Sequence, residues 1–341
     1  MEYDVLFLTA PTVDVIIEME GSFPIQGGCT RRVLKTYPEP GGPGNMLLVF
    51  NRMGGNILPV GPIGEDYYGG YLQDAYHAAH IETGQLYVTP GYSTPVANCI
   101  IDEAGVHSFV STFGSCDFTE EEAVLALMDR CGGLCLSGYS MASDTQAFRR
   151  LSLLLLRRAY DLQRQVFFDP GPLVGEIDLT ILSEVLRKST AIALNDEEAS
   201  VITGCSDPVK AASALIRQTD ALVLIKAGAR GCYAASSRNA GEWYPGFKVP
   251  LVDTMGAGDS FLGAFMYAWM QAWNIETCVT FANAAGAVKT SKFGTGTQVP
   301  TFDEMVAILE GNGYTVPNIC KANGKFSELD LSKRIVKLSG V

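Results

Sequence analysis

The sequence predicts an α/β fold in which a mainly parallel central sheet is covered by helices on both faces. From about residue 118, short apolar β-rich runs alternate with segments of helical periodicity, the pattern of successive βαβ units. Upstream, two β-rich stretches carry turn signals, at about 15–37 and 94–112. The chain has 341 residues, 47% of them hydrophobic, enough to bury one large core. Residues 1–312 therefore read as one domain and 313–341, which has weak periodicity, as an appended segment.

Val5 to Leu8 and Val13 to Ile17 are apolar runs broken at Ala10-Pro11, one opening strand that is bent or interrupted. Asp14 lies inside it. A carboxylate there must find donors or face water, and the hydroxyls of a substrate are candidate donors. Residues 18–37 read as a hairpin or flap. Pro40-Gly41-Gly42-Pro43-Gly44-Asn45 opens a helix that Gly54-Gly55 closes, with Asn45 near its first turn as a candidate cap. A strand ending near Gly61 precedes a helix from about Gly70 to His80, and Pro95–Asp102 pairs with Val106–Val110 across Glu103-Ala104-Gly105. Helices over 119–131, 144–163, 178–187, 196–203 and 207–218 then alternate with strands Leu134–Ser137, Val166–Asp169, Ile192–Leu194, Leu222–Ile225 and Trp243–Val252; a further helix spans Phe281–Lys289. Sites on such sheets lie beyond the C-terminal strand ends. That rule points to Asp169-Pro170-Gly171, Asn195-Asp196-Glu197-Glu198, Lys226-Ala227-Gly228 and the loop after Val252.

This last loop, Asp253-Thr254-Met255-Gly256-Ala257-Gly258-Asp259, feeds an apolar helix. Two glycines around one small residue allow a sharp turn and leave N–H groups open at a helix N-terminus, a cradle for anions. Asp259 stands where it either caps the helix or accepts a proton from a group held before the cradle. Phe261 occupies the place where a dinucleotide fingerprint needs its last glycine, and Phe326 after Gly324-Lys325 excludes a Walker A loop. Asn195 and Glu198 are spaced as a capping box.

The net charge of −12 argues against a nucleic-acid partner. No apolar run reaches membrane-spanning length and Met1-Glu2-Tyr3-Asp4 lacks a basic leader, so a cytoplasmic protein with no membrane partner is expected. The nine cysteines read as reduced packing residues, and neither Cys131 with Cys135 nor His77 with His80 has the partners of a metal site. Gly138-Tyr139-Ser140-Met141-Ala142 approaches a serine-hydrolase elbow, but every histidine precedes Ser140, against the chain order of that fold.

The string DTMGAGD resembles the DTxGAGD phosphate loop of the ribokinase-like (PfkB) carbohydrate and nucleoside kinases, and the resemblance covers roughly residues 3–300. It implies a ribokinase-like three-layer α/β/α sandwich, with the stretches at 15–37 and 94–112 forming a small β-sheet lid. It implies transfer of the ATP γ-phosphate to a hydroxyl of a sugar or nucleoside, with Asp259 as general base and the N–H groups of Gly256, Ala257, Gly258 and Asp259 as anion hole. Asn195, Lys226, Gly228, Gly231, Thr254, Asn283 and Gly294 are implied at the nucleotide, and Asp14, Gly41, Gly42, Asn45 and Asn98 at the acceptor. Mg²⁺ is implied near Glu198 and Asn195, through water, with a monovalent cation as a further candidate. The family's GG(x3)N motif is displaced here, its glycines standing at 41, 42 and 44. Lys226 stands where many members have Thr. Lid contacts between two copies imply a homodimer. The expected acceptor is a small sugar or sugar-like molecule; a nucleoside kinase of the same family and a non-catalytic regulator that binds sugar or nucleotide are the alternatives.

Overall fold

In β1 (Tyr3–Leu8), Val5 and Phe7 face one way and Leu6 and Leu8 the other, all without solvent exposure. A strand buried on both faces must lie inside a sheet covered on both sides. The computed structural model describes residues 1–112, 120–142, 146–315, 320–322, 325–327 and 336–337. β1 is hydrogen-bonded in parallel to β4 (Ile57–Gly64) and to β8 (Cys131–Ser137). The sheet continues in parallel from β8 through β9 (Gln165–Asp169) and β10 (Ala191–Asn195) to β11 (Leu222–Lys226), and β5 (Leu86–Thr89) pairs with β4 at the other edge. Antiparallel β12 (Cys232–Ser236) and β13 (Asn239–Tyr244) complete nine strands.

One apolar layer packs α1 (Gly44–Arg52), α2 (Tyr67–Ala78), α9 (Ala257–Met270), α10 (Ile275–Thr290) and α11 (Phe302–Gly311) against the face carrying Val5 and Phe7. The opposite layer packs α3 (Glu121–Leu127), α5 (Gln146–Asp161), α6 (Leu179–Lys188) and α8 (Pro208–Leu215) on Leu6 and Leu8. Two short helices, α4 (Gly138–Met141) and α7 (Asp196–Thr203), start where β8 and β10 end. The three-layer sandwich expected from the alternation is thus present.

A separate four-stranded sheet has the order β3 (Val33–Gly41), β2 (Thr12–Met19), β6 (Val96–Ile101), β7 (His107–Ser111). Ile16, Cys99 and Ile101 from its inner face bury against Met255, with Tyr37 and Phe293 beside them, so the lid sits on the glycine loop.

Several boundaries depart from expectation. The opening segment is two strands in two sheets, because Pro11 ends the first and redirects the chain into the lid. Asp66 caps α2 through the Gly69 N–H at 2.8 Å, starting that helix at Tyr67. The strand expected over 243–252 stops at Tyr244, since Pro245, Gly246 and Pro250 cannot sustain a ladder. Neither β5 nor β12 was anticipated. Cys29, Cys99, Cys131, Cys135, Cys205, Cys232 and Cys278 are free thiols. Most of the appended segment lies outside the described residues; Tyr314–Thr315 pairs with Val336–Lys337, and Cys320–Ala322 with Lys325–Ser327. Among the described residues no helix is long and apolar enough to cross a membrane.

Candidate active site

Two helix starts meet at the site. Gly263 lies nearly two turns into α9, where an added Cβ would be 2.6 Å from the Met46 carbonyl of α1. Only glycine permits this approach, and it sets the Asn45 end of α1 beside the Asp259 end of α9. The Asn45 amide then donates to Asp259 Oδ2 at 3.4 Å and to the Gly42 carbonyl at 3.0 Å, while its oxygen accepts the Gly296 N–H at 2.9 Å. Asn45 is buried and fully engaged.

Gly256 precedes α9 with φ +67°, a left-handed turn that favours glycine. No side chain caps this helix, so Asp259 does not take the capping role. Among the described residues no acceptor faces the N–H groups of Gly256, Gly258 or Asp259. The Ala257 N–H instead closes the turn onto the Thr254 carbonyl at 3.2 Å. Three of the four N–H groups expected to form an anion hole are therefore open, and that of Ala257 is engaged.

Asp14, in β2, is 6% exposed. It accepts from Thr295 Oγ1 at 2.9 Å and from the Gly42 N–H. Burial pushes its pKa up to about 6 against those two donors, with Glu39 adding to the rise. Gly41 is required there: an added Cβ would lie 1.9 Å from the Asp14 carboxyl carbon.

Three carboxylates and one ammonium gather at the ends of β9, β10, β11 and the start of α9. Lys226 Nζ bonds Asp169 Oδ2 at 3.0 Å and lies 3.2 Å from where a Cβ on Gly258 would stand. Burial and the charge of Asp169 push Asp259 up to about 7, opposed by Lys226 and Asn45. Glu198 is raised chiefly by burial and again by Asp169. Tyr139, at the start of α4, faces the same group; burial, Asp259 and Asp169 push its phenol up, so it stays neutral. Ser140 is occupied with the Ser137 carbonyl at 2.9 Å, which leaves no nucleophile elbow.

Glu198 forms the capping box: Oε2 accepts the Asn195 N–H at 2.8 Å, Oε1 accepts the Asn195 side-chain amide at 3.0 Å, and the Glu198 N–H returns to Asn195 at 2.7 Å. Both carboxylate oxygens are thus engaged. The residues fit a divalent cation held through water beside a cluster rich in negative charge, not a direct cage.

Other expected residues lie elsewhere. Gly231 and Asn283 converge on 244–246: a Cβ on Gly231 would be 2.1 Å from the Tyr244 carbonyl, and the Asn283 amide donates to the carbonyls of Tyr244 and Pro245 at 3.0 and 3.2 Å. Gly228, with φ +54°, shapes the turn that leads there from Lys226. Thr254 is exposed. The Gly294–Gly296 turn, expected beside the nucleotide, is held against Asp14 and Asn45, because Asp253 takes the Gly294 N–H at 2.8 Å and the Met255 N–H at 2.8 Å. Asn98 joins none of these groups; its amide donates to the Val110 carbonyl inside the lid sheet. The Gly294–Gly296 turn was expected as a whole, but no individual role was expected for Thr295 or Gly296, nor for Asp169 or Tyr139. Asp169 was visible only as a strand end, and Thr295 only as part of a glycine turn.

The chain is similar to known proteins in both sequence and fold. The model of the pfkB family carbohydrate kinases matches residues 12–302. A 5-dehydro-2-deoxygluconokinase of Halalkalibacterium halodurans is 25% identical over 282 residues, 79% of this chain and 85% of that protein. The mouse (Mus musculus) ribokinase is 28% identical over 269 residues, covering 76% and 81%. Among solved structures, Arabidopsis thaliana ribokinase, complexed with ribose and ATP, superposes with a TM-score of 0.77 at 18% identity, over 90% of this chain and 99% of that one. With a family match across most of its length and the ribokinase fold, the chain belongs to the PfkB family of carbohydrate kinases.

Proposed function

We propose that this phosphotransferase moves the γ-phosphoryl group of ATP to a hydroxyl of a small sugar or sugar-like acceptor, with Asp259 as general base. The observation that carries this reading is the setting of Asp259: a carboxylate with raised proton affinity, beside three open N–H donors and linked through Asn45 to the turn that holds Asp14. Asp14 and Asn45 hold the acceptor. Asp259 takes the proton as the acceptor oxygen bonds to phosphorus and the bond to the β-phosphate oxygen breaks, releasing ADP. The N–H groups of Gly256, Gly258 and Asp259, with the Lys226 ammonium, stabilise the charge on the equatorial oxygens. Mg²⁺, when bound, supplies charge neutralisation between the phosphates. Glu198 and Asn195 would hold it through water. A lid sheet resting on Met255 restricts the access of water to this region.

The test is ATP consumption across ribose, fructose, 5-dehydro-2-deoxygluconate, 2-keto-3-deoxygluconate, inositols and nucleosides. Turnover on a sugar or sugar acid is expected. Preference for nucleosides would select the nucleoside-kinase alternative, and nucleotide binding without transfer to any acceptor would select a regulator. With the best acceptor, Asp14→Asn should raise the acceptor KM roughly 10–100-fold, the worth of a hydrogen bond to a charged group, and leave the KM for ATP nearly unchanged. Equal effects on both constants would remove Asp14 from the acceptor side.

A further inference from the structure

Lys289 is the one lysine among the described residues with no solvent exposure. A lysine in the last turn of a helix ordinarily extends into water, where it favours the helix C-terminus. Lys292, three residues on, behaves nearly so: it is part-exposed and ion-paired with Glu304 at 2.9 Å. Lys289 turns inward, and its Nζ donates to the Lys292 carbonyl at 3.1 Å. Among the described residues no carboxylate reaches it at ion-pair distance, and the charge that acts on it most strongly is that of Asp253. Burying an ammonium with so little compensation is costly, so its position calls for a reason.

The reason lies in what α10 does to the glycine loop. The N–H groups of Val252 and Asp253 both bond the Thr290 carbonyl, at 2.8 and 3.1 Å, which seats the loop on the C-terminus of α10. That end carries partial negative charge, and the buried Asp253 adds a full one. Both oppose an anion bound on the loop's other side. The Lys289 side chain lies against this loop: its Cε is 3.8 Å from where a Cβ on Gly256 would stand.

We propose that Lys289 is a positioning residue that serves as a built-in monovalent cation, holding the 253–256 loop and offsetting Asp253 and the α10 C-terminus so that the open amides bind phosphate without a bound metal cation. A separate monovalent cation therefore does not fit the underside of this loop. Burial lowers the proton affinity of Lys289 and Asp253 raises it, which keeps the two charges interdependent.

The inference rests on the kinase reading for its kinetic arm, while its melting arm needs no turnover, so the two can fail separately. Wild-type kcat is expected to agree within about twofold in potassium, sodium and choline chloride at equal ionic strength. Lys289→Met should lower kcat about 10–100-fold in choline chloride. In Lys289→Ala, which leaves room for an ion, potassium or ammonium should restore activity saturably. Without nucleotide or acceptor, potassium should raise the melting temperature of Lys289→Ala over choline, and not that of the wild type. Potassium activation of the wild type, or a Lys289→Ala protein whose melting is indifferent to the cation, would overturn the proposal. If both variants are insoluble in choline, recovery of folded Lys289→Ala in potassium supports it, and insolubility in both salts counts against it.

Discussion

Asp259→Asn is expected to fold and bind ATP while turnover falls by about 10²–10⁴, the range for loss of a positioned general base. The residue does not cap α9 and, among the described residues, its side chain accepts one hydrogen bond, the 3.4 Å contact from Asn45, so little structure depends on its charge. The pH dependence follows from the same environment. Its pKa is raised to about 7 by burial first and Asp169 second, so the base is protonated below that pH. For the wild type kcat/KM should rise with pH through about 7 and then level; the asparagine variant should be flat and low. The sign for stability runs the other way. A carboxyl whose folded pKa lies above its unfolded value favours the native state fully below the unfolded value, and that contribution is lost as pH rises towards 7. At pH 8 Asp259→Asn should therefore melt higher than the wild type, by up to roughly 6 °C, with the gap closing near pH 4. Near-normal turnover in this variant would end the general-base assignment, whatever its melting temperature.

How much of this was legible depended on how local each feature is. The glycine loop was readable because seven contiguous residues carry it, and the helix that follows is announced by its own apolar run. Asp14 and Asn45 were readable because each breaks a pattern, a carboxylate within an apolar run and an amide after a glycine stretch. The Thr295–Asp14 bond spans 281 positions and the Lys226–Asp169 bond 57, and neither residue pair has a spacing that announces it. Ala257 illustrates a finer limit. Its type and place match the other loop residues, yet the turn closed on Thr254 takes its N–H, a feature of the folded loop that residue type does not announce. The expected strand over 243–252 failed for a readable reason: its apolar positions outweighed Pro245 and Pro250 in the pattern, although prolines cannot donate to a ladder. The two opening strands were merged because only Thr9, Ala10 and Pro11 separate them.

Lys226→Met should produce the second large effect, lowering kcat about 10²–10³-fold by removing a preorganised positive charge from beside the phosphoryl group. Burial works against this ammonium, but Asp169, Glu198 and Asp259 outweigh it and hold its pKa above the ordinary lysine range, so it is charged throughout the working pH. Without it, three carboxylates share the strand ends with no cation among them. Such a cluster relieves itself by binding protons. Because Lys226 lowers the pKa of Asp259, its loss should move the acid limb of kcat/KM above pH 7, a displacement that simple damage to the fold would not cause. Asp169→Asn separates the two roles of the ion pair. It leaves Lys226 charged at the loop and removes a carboxylate that raises Asp259, so the acid limb should move down while kcat falls less than in Lys226→Met. If both variants moved the limb in one direction, the opposed influences of Lys226 and Asp169 on Asp259 could not be the cause. The opposed shifts would instead identify the pair as the element that sets how basic Asp259 is when the acceptor arrives.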